Sequence, residues 1–300
     1  MHRIHKPPLL APLQAALLLA SAACTEPYHV PPRPSQSADY PVAIPAGIDR
    51  LEIQFHDGLL TLETGPQLEC SVTVDVLADD PAALQAMAEK ARPEFRTSGD
   101  GHTAALQVAL PSGADLNDVR TTWRVRAPAG ATVAVRTRKG GVVARGATSD
   151  LEVDGGSGFV DARMAGGSAL LATTSGSVAL RGDYVAADLR SVLGRIDVCA
   201  PKPSGARLDL RVNCDRGGVY LDLLPGQRFD FQFHGETRQV ECDPEVRVQW
   251  QQIGEESGVE YTYGHLGDLV AASQGKMVVD ANSSVRVRLQ PGTESLAASR

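Results

Sequence analysis

Arg145, Arg163 and Arg181 stand 18 residues apart, each five places after a glycine. Guanidinium groups repeated at a fixed spacing offer successive planar donor forks to carboxylates or phosphates. Stacked in register at about 5 Å, they form a candidate track for a linear anion or acidic glycan, at the cost of mutual repulsion. Acids in neighbouring phases could offset that repulsion. Asp161 and Asp197 lie three places after their glycines, and Glu152 and Asp188 six before theirs. The competing reading is a solvated, ion-paired face.

Catalytic signals are weak by comparison. Asp161 and Asp197, two repeats apart and so roughly 10 Å from one another in a stacked fold, lie near the upper limit for an inverting carboxylate pair. Sugar-stacking aromatics are absent from the regular repeats. The chain has no Gly-x-Ser-x-Gly, no HExxH and no phosphate loop. The run Gly155 to Asp161 is one residue out of register with the nonapeptide calcium repeat and occurs once, which reads as plain turn glycines. The expectation is a non-enzyme with no cofactor and no metal. A net charge of −7 argues against nucleic acid as a partner.

Cysteines bear on compartment. Arg3 and Lys6 precede an apolar stretch from Leu9 to Ala20, and Ser21-Ala22-Ala23 lead to Cys24. This is an export signal, much shorter than the roughly 20 residues of a membrane span. It resembles a bacterial lipoprotein signal, which implies acylation of Cys24 and a membrane-anchored, exported protein, in the outer membrane or periplasm if the source has two membranes. Ser21 departs from the usual leucine, and the alternative is ordinary cleavage after Ala22 or Ala23, giving a soluble secreted chain. Cys70, Cys199, Cys214 and Cys242 remain. Cys199 and Cys214 flank an insertion and are the candidate disulfide pair; otherwise the four are separate buried thiols.

The elements that position these residues follow from the period itself. Gly140, Gly158, Gly176 and Gly194 are 18 apart, and Gly217 follows after 23. Apolar residues recur seven and five places before each glycine and two and four after it, as in Leu151/Val153 and Val160/Ala162. Each unit is two short alternating strands joined by a glycine-bearing turn, and such units bury an apolar face only by stacking. The expected fold class is all-β, a right-handed parallel β-solenoid with 18-residue coils and one short N-terminal capping helix. Leu51, Ile53, Gly58, Leu60 and Leu62 form an outlying copy with the same offsets. The helix reads from about Pro81 to Arg92, with Asp80 as its cap. Aromatics, at 5%, fit thin coils with little room for rings. The organisation expected is a signal peptide over 1–23, a Pro-rich tether over 24–40, a solenoid domain over 41–292 with regular coils at about 131–223, and a tail over 293–300.

With an exported N-terminus, Val125-Arg126-Ala127-Pro128-Ala129-Gly130 and units such as Leu171-Ala172-Thr173-Thr174-Ser175-Gly176-Ser177-Val178 resemble the bacterial β-strand-repeat family labelled "putative adhesin". The resemblance covers roughly residues 45–290. It implies a cell-envelope binding or display module whose partner is an envelope protein or glycan, and it brings no catalytic residues with it. An envelope sensor or scaffold is the alternative, and a polysaccharide-cleaving solenoid enzyme comes third.

Overall fold

The computed structural model describes residues 33–290, apart from 111–113, 202–206, 236–238, 257–258, 269–270 and 283. The signal segment, Cys24, most of the insertion between Cys199 and Cys214, and the tail lie outside the described residues. No helix among the described residues is long and apolar enough to cross a membrane.

The all-β expectation holds: the strands form two large sheets and the described residues contain one α-helix, Pro81–Lys90. The first sheet has 11 strands, in spatial order Ser35–Val42, Glu69–Leu77, Val119–Ala127, Gly58–Thr64, Gly141–Ala147, Val160–Ala165, Val178–Asp183, Ile196–Cys199, Val219–Leu223, Val285–Leu289 and Val240–Cys242. The second has 12: Arg247–Glu256, Val259–Gly267, Arg228–His234, Gly275–Ala281, Leu208–Cys214, Ala186–Ser191, Ser168–Thr173, Asp150–Asp154, Thr132–Thr137, Arg50–Phe55, Thr103–Ala109 and Arg92–Thr97.

Between residues 132 and 223 the chain alternates from one sheet to the other. Each strand pairs in parallel with the strand one repeat away: Leu151 with Ala169, Val160 with Val178, Leu189 with Val212. All the apolar phases point inward. Leu151, Leu171, Val178, Leu180, Leu189, Ile196, Leu210 and Val219 are each fully buried between the sheets. Adjacent inward rungs are therefore in continuous contact, and burial of these side chains is the main favourable term holding the stack.

The expectation of a purely parallel solenoid does not describe the whole molecule. Both sheets are mixed, because antiparallel pairs occur at each end: Ser35–Val42 with Glu69–Leu77, Arg92–Thr97 with Thr103–Ala109, and Val259–Gly267 with two neighbours. Nor does chain order match spatial order. The coil of Leu51 and Leu60, which shares the repeat's offsets, pairs directly with that of Val133 and Val142, a contact the strand order along the chain did not indicate. The strands Thr103–Ala109 and Val119–Ala127 then pack outside it. At the far end Gly275–Ala281 and Val285–Leu289 insert between strands that precede them in sequence.

One boundary moves. The segment expected as a tether ends earlier, since Ser35–Val42 is an edge strand along Glu69–Leu77. Alternation of Tyr40 and Val42 toward the core carries it, a signal masked by the surrounding prolines. The helix begins where expected, with the Asp80 carboxylate accepting from the amides of Ala82 and Ala83 at 2.9 Å each. Its role differs from a cap over the stack. It is largely exposed, leans Leu84 and Met87 on the core, and packs along Ser35–Val42 and Glu69–Leu77. The outermost strands themselves form the N-terminal end.

Large rings collect at the two ends, where the repeat is irregular. Trp123 is fully buried 6.5 Å from Phe55 and donates its indole N–H to Thr121. Phe229, Phe231 and Phe233 are buried at the other end, with Phe231 5.7 Å from Trp250. The middle coils are filled mainly by Val, Ala, Leu, Ile and Met; the ring of Tyr184 is buried among them, with its hydroxyl donating to the Cys199 carbonyl at 3.0 Å.

The glycine positions act by close approach. A Cβ on Gly158, Gly176 or Gly194 would stand 1.8, 1.5 or 1.7 Å from the carbonyl oxygen of the glycine one coil earlier. Gly217 repeats this against Gly194 at 2.1 Å, and a Cβ on Gly140 would meet the Phe55 ring at 2.1 Å. Three residues before the corners at Gly140, Gly176 and Gly194, small polar side chains satisfy the backbone. Gly140 and Gly194 donate their amides to Thr137 and Ser191 at 2.8 Å, and Thr173 donates to the Gly176 carbonyl at 2.8 Å.

Candidate functional site

The stacked strands bring the arginine ladder together as the spacing predicts. Arg163 is in register with Arg145 on one side and Arg181 on the other. All three side chains face solvent from the first sheet. Glu63 is the next residue in this row beyond Arg145, and Arg181 is the last arginine before the repeat changes.

The acids expected to neutralise the ladder do not do so. Glu152 and Asp188 belong to the opposite sheet, where Arg50 and Arg190 hold them. Asp197 is paired with Arg195 and lies 3.9 Å from Arg288. Arg195 and Arg288 also bracket the Tyr220 ring, 3.8 and 5.2 Å from its centroid. Asp161 and Asp197 are two rungs apart, with Ala179 between them. Among the described residues, Arg145, Arg163 and Arg181 make no ion pair. The first sheet therefore carries a neutralised region around Tyr220 and, beside it, three cations with no counter-charge within 4 Å.

The candidate bridge between Cys199 and Cys214 does not form, and all four described cysteines are thiols. Cys199 faces outward from the first sheet beside Asp222. Cys214 is buried in the second and hydrogen-bonds the Gly194 carbonyl at 3.4 Å. The two side chains point to different sides of the first sheet, which no rotamer change reconciles. Burial pushes the Cys70 thiol up to about 12 and that of Cys242 to about 11, and raises Cys199 as well.

A second feature was not singled out by sequence reasoning. A groove of about 400 Å³ runs across the outer face of the second sheet over seven strands, from Arg92–Thr97 to Ala186–Ser191. Six inter-strand steps make it about 29 Å long. Its walls are the outward side chains six and four places before the glycines, and alanines at 105, 134 and 172 keep it open. Arg50 spans it. Its guanidinium donates to both oxygens of Glu152 at 2.9 and 2.7 Å and to Glu52 at 3.0 Å. Ala134 lies between those two carboxylates in register, so the fork passes over a methyl group. Hydrogen bonding to Arg50 holds the Glu152 carboxyl below the usual carboxylate range, and Glu152 in turn raises Arg50. The 18-residue phases mark the outward positions of the regular strands, but not the outlying strand from which Arg50 reaches Glu152.

No family model matches this chain, and no curated protein matches it. Among solved structures it is similar to a "putative cell adhesion protein" of Clostridium sporogenes, at 10% identity and a TM-score of 0.36 over 86% of this chain and 100% of that one. It is likewise similar to a "putative adhesin" of Bacteroides fragilis, at 7% identity and 0.37 over 87% and 99%. A "putative lipid binding protein" of Parabacteroides distasonis gives 10% identity and 0.39 over 84% and 96%. Likeness at this level assigns no role to any residue here.

Proposed function

We propose that this protein is a non-catalytic, exported envelope lipoprotein that binds an acidic polymer along Arg145, Arg163 and Arg181. The observation supporting the reading is that the three arginines stand in register on adjacent strands and make no ion pair with any described residue. In the proposed architecture the middle coils form a right-handed parallel solenoid, the commonest hand for parallel crossovers. Such a stack repeats its cations at a near-constant interval, which suits a polyanion with regularly spaced carboxylates. Acylation at Cys24 would hold this surface at the membrane, with the prolines before residue 35 as a semi-stiff spacer.

The test titrates the full chain with polygalacturonate. Replacing Arg145, Arg163 and Arg181 together with serine should weaken binding without altering the melting transition, and raised salt should mimic the triple variant. Salt-independent binding that survives the triple change would return the ladder to a solvated face. Released oligosaccharide would make the protein an enzyme. For the anchor, Cys24→Ala should abolish acyl labelling and free the protein from the membrane fraction; wild-type protein already soluble and unlabelled would overturn that part.

A further inference from the structure

The groove on the second sheet carries its own chemistry, on the face opposite the arginine ladder. Four arginines and four carboxylates line it, so it has no net charge and favours neither a simple anion nor a simple cation. Six of these eight are neutralised by close partners: Arg50 by Glu52 and Glu152, Arg96 by Glu94, and Arg190 by Asp188 at the rim. Arg136 and Asp154 are the exceptions. They are direct neighbours in register on adjacent strands, and neither makes an ion pair with any described residue. Both also line an adjoining cavity of about 480 Å³, so this pair sits where two hollows meet. In that second cavity the His56 Nε2 is buried with no hydrogen-bond partner among the described residues.

We infer that the groove is a binding site for a small zwitterion with an aliphatic body, of the class of an aliphatic α-amino acid. Its carboxylate meets the Arg136 guanidinium, and its ammonium meets the Asp154 carboxylate one rung away. Opposite charges on a short carbon skeleton match opposite charges on adjacent strands about 4.8 Å apart. The next residue in the row after Asp154 is Ala172, and Leu170, 44% exposed, stands beside Glu152. These apolar side chains offer the ligand's body a seat past its ammonium. The volume is within the roughly 300–1,000 Å³ of small-molecule sites. The inference stands independently of the acidic-polymer reading, which uses other residues on the other sheet.

Calorimetric titration of the full chain with L-leucine tests it, with L-leucinamide and 4-methylpentanoate as ligands that each lack one charge. One saturable site for leucine is expected, and each single-charge ligand should bind at least about tenfold more weakly. Arg136→Gln and Asp154→Asn should each cost about tenfold by loss of one charge-assisted contact. The double reversal Arg136→Asp with Asp154→Arg should recover binding, because a zwitterion can turn end for end. Serine at positions 145, 163 and 181 should leave leucine binding unchanged, which separates failure here from failure of the acidic-polymer reading. The inference is overturned by a folded chain that does not bind leucine, by single variants that bind normally, or by either single-charge ligand binding as tightly.

Discussion

The carbonyl oxygen of Gly158 lies 1.5 Å from where a Cβ on Gly176 would stand. The glycine ladder is thus a packing requirement passed from coil to coil. A side chain at any rung would push the preceding carbonyl away and break the parallel register beside it.

Gly176→Ala should accordingly destabilise the protein by about 3 kcal/mol or prevent folding, as overpacking against backbone leaves nothing flexible to yield. Gly166 is the control. A Cβ there would have its nearest neighbour at 3.8 Å, ordinary contact. Gly166→Ala should therefore change the denaturation midpoint little. Similar midpoints for the two variants in urea would show that the corner does not depend on the missing Cβ.

Val160 and Asp161 test the strand phase. Val160 is 1% exposed between Val142 and Val178, whereas Asp161 faces solvent. Val160→Asp buries a carboxylate with no partner and should cost on the order of 4 kcal/mol, or abolish folding. Asp161→Ala should stay within about 0.5 kcal/mol of wild type, as for other surface changes. Chemical denaturation of both variants checks the difference, and equal losses would mean the inward phase is wrong.

What the sequence disclosed divides along the repeat. Offsets around Gly140, Gly158, Gly176 and Gly194 located every inward rung and the arginine register, because neighbouring strands differ by a constant 18 residues. The same offsets marked Leu51 and Leu60 as a copy of the unit, but not its place beside Val133, 82 residues further along the chain. Pairings outside the period were hidden. Nothing local indicates that Gly275–Ala281 inserts beside Leu208–Cys214, since that contact depends on how the intervening strands turn back. The groove was hidden for another reason. Arg50 meets Glu152 only because its coil sits two strands away, so the ion pair joins a regular repeat to an outlying copy.

The cysteines should behave as unreactive thiols. Cys70 at about 12 and Cys242 at about 11 remain protonated at pH 8, and Cys214 is buried. Since the thiolate is the nucleophile, iodoacetamide should label the native chain far more slowly than the denatured one. Denatured, unreduced protein should then take up alkyl groups at Cys70, Cys199, Cys214 and Cys242 alike. A mass two hydrogens lower, with Cys199 and Cys214 unlabelled, would restore the disulfide.

Arg50 and Glu152 give the groove a pH dependence with a definite sign. Arg50 lowers the Glu152 carboxyl below its unfolded value, so the native state releases this proton more readily. The associated stability is fully present above the ordinary carboxylate range and is lost as pH falls through the lowered native value. Both side chains are about a third exposed, which limits the contribution to roughly 0.5–1 kcal/mol. Glu152→Gln should therefore lower stability at pH 7 by that amount and converge with wild type in acid. Ala134→Phe should act on the same contact from beneath, because its ring would occupy the space the guanidinium crosses between Glu52 and Glu152. Combining the two should cost less than the sum of the separate losses, since each removes one shared interaction. Full additivity across pH 4 to 7 would show that the fork over Ala134 is not formed in solution.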